Sequence, residues 1–160
     1  MVKVASIDLG SNSTRLLIAD ITEGVISPIH KEHQVTRMGD NLTKSKNISK
    51  ESIKRVIKVL SRFFKTISIN GVENIQIVGT AALRDAENSE DIIEQIQKKL
   101  VVEVDIFWGE KEGVLTSLEV LYSFEIIKTF LMVEIGGRSP GFINNKIKKI
   151  ISKSLDIVEF

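Results

Sequence analysis

Three extended segments follow one another before the first helical pattern, and after them strands and helices alternate. Few folds accept that order. The first segment, Val2 to Asp8, carries Val2, Val4 and Ile7 with small residues between, which reads as a buried strand. It stops at Gly10-Ser11-Asn12-Ser13, a turn-forming cluster. Arg15 to Ile21 reads as a second strand, and the short turn predicts an antiparallel hairpin. Gly24 opens a third extended stretch through Val25, Ile26 and Ile29 to about Val35. Residues 39–49 are polar and read as a loop. Ser49 then offers a helix N-cap with Glu51 in the first turn. Ile53, Val56, Ile57, Leu60, Phe63, Phe64 and Ile67 recur at three- and four-residue spacing, the signature of an amphipathic helix that Asn70-Gly71 ends.

Alternation follows. Asn74–Val78 reads as a strand. A second helix is expected from Asn88 or Ser89, with Ile92, Ile93, Ile96 and Leu100 inward, and a strand over Val101–Phe107. A third helix should start near Gly109 and carry Leu115, Leu118, Leu121 and Tyr122. Thr129–Ile135 is an apolar strand that breaks at Gly136-Gly137, and Gly141–Ile151 reads as a hairpin turning at Asn144-Asn145 or just after. The order β-β-β-α-β-α-β-α, followed by further strands, predicts an α/β domain with a mixed sheet. We expect a domain over residues 1–128 and the opening strands of an incomplete second domain over 129–160.

Composition narrows the function classes. The chain has 160 residues, 42% of them hydrophobic, enough for a core without staples. Absence of cysteine excludes disulfides, thiolate metal sites and thiol catalysis. A net charge of +1 gives no bulk attraction to nucleic acid or membrane. No apolar run approaches a membrane span or a secretory leader, so a cytoplasmic location is expected. His30 and His33 read as surface or packing residues rather than metal ligands.

Chemistry-bearing residues cluster at the strand ends. Gly10 lets backbone approach a ligand, and successive N–H groups in such a turn form an anion-binding concavity. Ser11, Asn12 and Ser13 add short polar side chains, and Asp8 offers hard oxygens suited to Mg²⁺. The same residues also suit a plain tight turn. Thr80 and Arg84 follow the strand ending at Gly79. Arg84 suits bidentate phosphate binding, although an arginine on a solvated helix face is commoner. Lys146, Lys148, Lys149 and Lys153 read as a solvated edge strand.

Asp8-Leu9-Gly10-Ser11-Asn12-Ser13 resembles the first phosphate loop of the Ppx/GppA family, the exopolyphosphatases and guanosine pentaphosphate phosphohydrolases. Further segments are similar in the same order: His33–Gly39, Val78–Asn88, Gly109-Glu110-Lys111-Glu112-Gly113, and Glu134-Ile135-Gly136-Gly137-Arg138-Ser139. The resemblance implies a ribonuclease-H-like domain of the actin/Hsp70/sugar-kinase superfamily. It implies hydrolysis of terminal phosphate from polyphosphate or guanosine pentaphosphate, with Mg²⁺ as cofactor. Glu112 takes the place of the family's general base. Gly10, Ser11, Asn12, Ser13, Thr80, Arg84, Gly136, Gly137 and Ser139 would contact phosphate, and Asp8 and Glu134 would hold metal, with Arg15 or Arg37 adding positive charge.

Departures concentrate in the last motif. Glu134 stands for an Asp, Arg138 for a third Gly, and Pro140-Gly141 for Thr-Glu; Trp108 replaces a Ser and Lys111 the first Glu. In the family the active site lies between two similar domains, so a chain of this length would leave half the cleft open, and reduced turnover is expected. A homodimer or a separate second domain would complete it. The alternative is a binding module of the same fold that holds phosphate or nucleotide without turnover.

Overall fold

The computed structural model describes residues 1–108, the helical positions Lys111, Val114, Leu115 and Leu118, and the backbone of strands within 130–154. It comprises two units, Met1–Ile106 and Phe107–Phe160.

In the first unit, β1 (Val2–Leu9), β2 (Ser13–Thr22) and β3 (Val25–Val35) form an antiparallel meander. Helices α1 (Leu42–Ser45) and α2 (Lys50–Ile69) follow, then β4 (Asn74–Gly79), α3 (Ala81–Asp85), α4 (Ser89–Leu100) and β5 (Asp105–Ile106). The strands form one sheet in the order β3-β2-β1-β4-β5. β4 and β5 run parallel to β1 and to each other. The expected mixed sheet is therefore present.

Helix α2 forms where the periodicity places it. Ser49 accepts the Ser52 N–H at its side chain, and the helix ends at Asn70. Ile53, Val56, Leu60, Phe63 and Ile67 are buried, and Ile57 and Phe64 pack against the core partly covered. They join Ala5, Ile7, Leu9, Leu16, Ile18 and Ile77 of the sheet and Ile92 and Ile96 of α4 in one hydrophobic cluster. Asn88 clips the starts of α2 and α4 together: its Oδ1 accepts the Ile48 N–H at 2.9 Å and its Nδ2 donates to the Ile48 carbonyl at 3.0 Å.

Some boundaries differ from expectation. In β1 the buried set is Ala5, Ile7 and Leu9, whereas Val2 is 51% exposed, because strand alternation puts odd and even residues on opposite faces. The strand expected from Val101 shrinks to Asp105–Ile106. Val101 instead caps α4 in the left-handed region at φ 55°, with its N–H on the Gln97 carbonyl. The polar loop holds one short helix, α1, pinned by buried Leu42. Pro28 sits in β3, an edge strand, beside the register shift at Ile18/Ala19, where a missing N–H is tolerated.

In the second unit, Lys111, Val114, Leu115 and Leu118 are helical, where a third helix is expected. The Lys111 ammonium lies 3.9 Å from the centroid of the Phe107 ring. Strands β6 (Phe130–Glu134), β7 (Gly141–Lys146) and β8 (Lys149–Ser154) form an antiparallel sheet. Lys146 pairs with Lys149, so the hairpin turns just after Asn145.

Candidate phosphate site

Strand register sets the site. Leu9 lies opposite Gly79, and Gly79 opposite Ile106, so β1, β4 and β5 end level at one edge. Open α/β sheets bind ligands at the carboxyl ends of their parallel strands. The 10–13 turn leaves β1 there and Thr80 leaves β4 there.

The turn is tied down through its carbonyls. Ser13 O accepts the Gly10 N–H at 3.0 Å. Asn12 O accepts the N–H groups of Thr36 at 3.0 Å and Arg37 at 2.8 Å, and Ser11 O accepts that of Gly39 at 2.8 Å. The two ends of a trans peptide point in opposite directions. The Asn12 and Ser13 amides therefore face away from residues 36–39. Successive backbone amides on one side of a tight turn are an anion-binding geometry. Gly10 is required by packing: a Cβ there would stand 2.8 Å from the Ser13 carbonyl oxygen. The Asp8 carboxylate oxygens lie 3.7 and 3.8 Å from that same point, so the acid borders the turn.

A support behind the turn has no sequence signature. Arg37 adopts a left-handed backbone at φ 48°, uncommon for a side-chain-bearing residue. It is held from both sides. Its N–H goes to Asn12, and its carbonyl accepts from Ser52 Oγ at 3.1 Å and Arg55 Nη2 at 3.2 Å. Arg55 Nε also donates to the Thr36 carbonyl at 2.8 Å. Beneath, the buried hydroxyls of Thr14 and Thr36 lie 3.1 Å apart. The first two turns of α2 thus fix residues 36–37, and these fix the 10–13 turn. Arg55→Ala is expected to cost about 1–2 kcal/mol of stability, the lower range for charge-assisted bonds because the side chain is half exposed. Urea unfolding measures this. Arg55→Lys should recover little of it, because an ammonium lacks the planar fork that spans two carbonyls.

Across the edge, Gly79 lets α3 close on β4: a Cβ there would stand 2.5 Å from Leu83 Cδ1, and Leu83 is fully buried. Thr80 precedes α3, and its side chain makes no capping bond. Arg84 is 13% exposed, with Nε donating to Asp85 Oδ1 at 3.2 Å. Arg15 is exposed on β2 opposite Asp8, and Arg37 is exposed beside the turn. His30 lies 3.5 Å from Glu32 on β3, and His33 is exposed. Glu112, Gly136, Gly137 and Ser139 lie outside the described residues; Glu134 is described only as the last residue of β6. Among the described residues no cluster of three metal-ligating side chains occurs.

The sheet order and the turn at its edge define a ribonuclease-H-like, actin-type ATPase fold. The model of the Ppx/GppA phosphatase family matches residues 17–160, and the chain belongs to that family. A crystal structure of an Aquifex aeolicus member of the Ppx/GppA family superposes with a TM-score of 0.86 at 32% identity, covering 98% of this chain and 51% of that one. A putative exopolyphosphatase of Haemophilus influenzae is 28% identical over 88% of this chain and 44% of its own length. A guanosine-5'-triphosphate,3'-diphosphate pyrophosphatase of Aliivibrio fischeri is 32% identical over 87% of this chain and 28% of its own. The chain thus spans less than half the length of these two relatives.

Proposed function

We propose that the chain carries the phosphate-binding half of a phosphohydrolase that removes the terminal phosphate from polyphosphate or guanosine pentaphosphate. The observation that carries this reading is the 10–13 turn at the level strand ends, whose carbonyls are held by hydrogen bonds and whose Asn12 and Ser13 amides face away from residues 36–39. Phosphoryl transfer is chiefly positioning and charge stabilisation, which a rigid amide turn supplies. In this reading Gly10 to Ser13 hold the terminal phosphoryl group, and Thr80 and Arg84 border it from β4. Glu112 is proposed to orient and deprotonate the attacking water, and Gly136, Gly137 and Ser139 are proposed as further phosphate contacts.

A Mg²⁺ ion fits this donor set, because it binds through one or two carboxylates plus phosphate oxygens and water. Asp8 borders the turn as one such carboxylate, and Glu134 is the proposed second. Bound there, Mg²⁺ would neutralise charge on the phosphoryl oxygens. We place the protein in the cytoplasm; among the described residues no helix is long and apolar enough to cross a membrane.

Phosphate release from long-chain polyphosphate with Mg²⁺, measured beside Glu112→Gln, tests the reading. A general base contributes about 10²–10⁴ in rate, so the variant should fall at least a hundredfold. Equal release from both chains removes Glu112 as the base. The second reading, a binding module without turnover, is favoured by Glu134, Arg138, Pro140 and Gly141 in the last motif. It predicts no release, but stabilisation of about 2.7 kcal/mol at a hundredfold excess of ligand over its dissociation constant.

A further inference from the structure

Helix α2 carries Lys50, Lys54, Arg55, Lys58, Arg62 and Lys65 against one acid, Glu51. Such an imbalance is unexpected in a chain of net charge +1. Its outer face and Lys99 at the end of α4 enclose an open groove of about 510 Å³, lined by Lys54, Ile57, Lys58, Ser61, Arg62, Lys65 and Lys99. Five of the seven lining residues are cationic and none is acidic. Arg62 is anchored, pairing with Glu32 and donating to Gln34 Oε1 at 3.3 Å. Among the described residues the four lysines are in no ion pair, so their charge faces the groove uncompensated. Lys54 and Lys65 are about 16 Å apart along the helix axis. The row begins one residue from Arg55, which holds the support of the phosphate turn.

We propose that this groove is a second, non-catalytic binding site for a linear phosphate polyanion, inorganic polyphosphate. Its length and charge suit an extended chain rather than a single phosphate. Its lining has no aromatic side chain, so it offers no stacking platform for bases, which single-stranded nucleic-acid sites commonly use. The site rests on the proposed function only for its purpose, which is to retain a chain near the turn; binding itself requires no turnover.

The test measures binding of long-chain polyphosphate, tripolyphosphate and single-stranded DNA to the full chain across a salt series. The variants are Lys54→Gln/Lys58→Gln/Lys65→Gln and the matching triple Lys→Arg. Glutamine keeps helix propensity, and all three positions are exposed, so the fold should persist, as circular dichroism would verify. We expect the glutamine variant to lose at least tenfold in long-chain affinity and roughly two to three in salt slope, by lost counterion release. Tripolyphosphate affinity should hold, and the arginine variant should bind like the parent. Unchanged long-chain affinity overturns the proposal, as does DNA binding as tight as polyphosphate. Lysine-dependent binding without hydrolysis would refute the hydrolase reading and leave the groove standing. Hydrolysis without lysine dependence would do the reverse.

Discussion

Truncating Phe63 to alanine is expected to destabilise the protein by about 3–5 kcal/mol, the range for emptying a buried aromatic site. Phe63 is fully buried and sits midway along α2, within the cluster that joins α2, α4 and the sheet. Elements on every side are already engaged, so the void has little chance to collapse. Small domains hold about 5–15 kcal/mol in total, so the variant should be marginal at room temperature. In urea the midpoint should fall sharply while the slope of the transition stays constant, because the surface exposed on unfolding hardly changes. Ile69→Ala is the control: Ile69 is 85% exposed, and the expected effect is within about 0.5 kcal/mol. A loss below that of the control would contradict the packing described for α2.

Gly10→Ala should abolish most phosphate affinity. The added methyl would meet the Ser13 carbonyl oxygen at 2.8 Å, and that oxygen already accepts the Gly10 N–H. The obstacle is backbone, so no rotamer change relieves it; the turn itself must open. Overpacking of this kind costs about 1–3 kcal/mol of stability. Opening the turn also redirects the Asn12 and Ser13 amides, and a loss of at least tenfold in polyphosphate affinity is expected, about 1.4 kcal/mol. Ser11→Ala, which removes only a hydroxyl, should cost a few-fold at most. Calorimetric titration with tripolyphosphate separates the two. Full affinity in Gly10→Ala would mean that phosphate binds elsewhere.

Legibility in the sequence follows from how local each feature is. Helix α2 is readable because its cap, its periodic apolar face and its Asn70-Gly71 stop all lie within its own residues. The meander is readable for the same reason: turns and alternation are local. β5 is not, because Val101–Ile106 keeps an alternating pattern while Val101 is spent on the left-handed cap of α4. The turn at Gly10–Ser13 announces itself by composition, but its support does not. Arg55 reads as one more exposed cation on a basic helix, and its role is to donate to main-chain carbonyls that carry no residue identity. Ser52 was hidden in the same way, within the first turn of the helix. The lysines of α2 become the wall of a groove only where Lys99 joins them from another helix, which requires the fold.

β1 occupies the middle of its sheet although it is the first element of the chain. Trimming or re-engineering residues 2–9 would therefore strike the keystone rather than a dispensable tail. Without that stretch, the ribbon of β2 and β3 and the pair of β4 and β5 would lose the strand that joins them within the sheet. A purification tag before β1 calls for a flexible spacer, whereas an addition in the turn between β2 and β3, at the end of the sheet opposite the 10–13 turn, should be better tolerated.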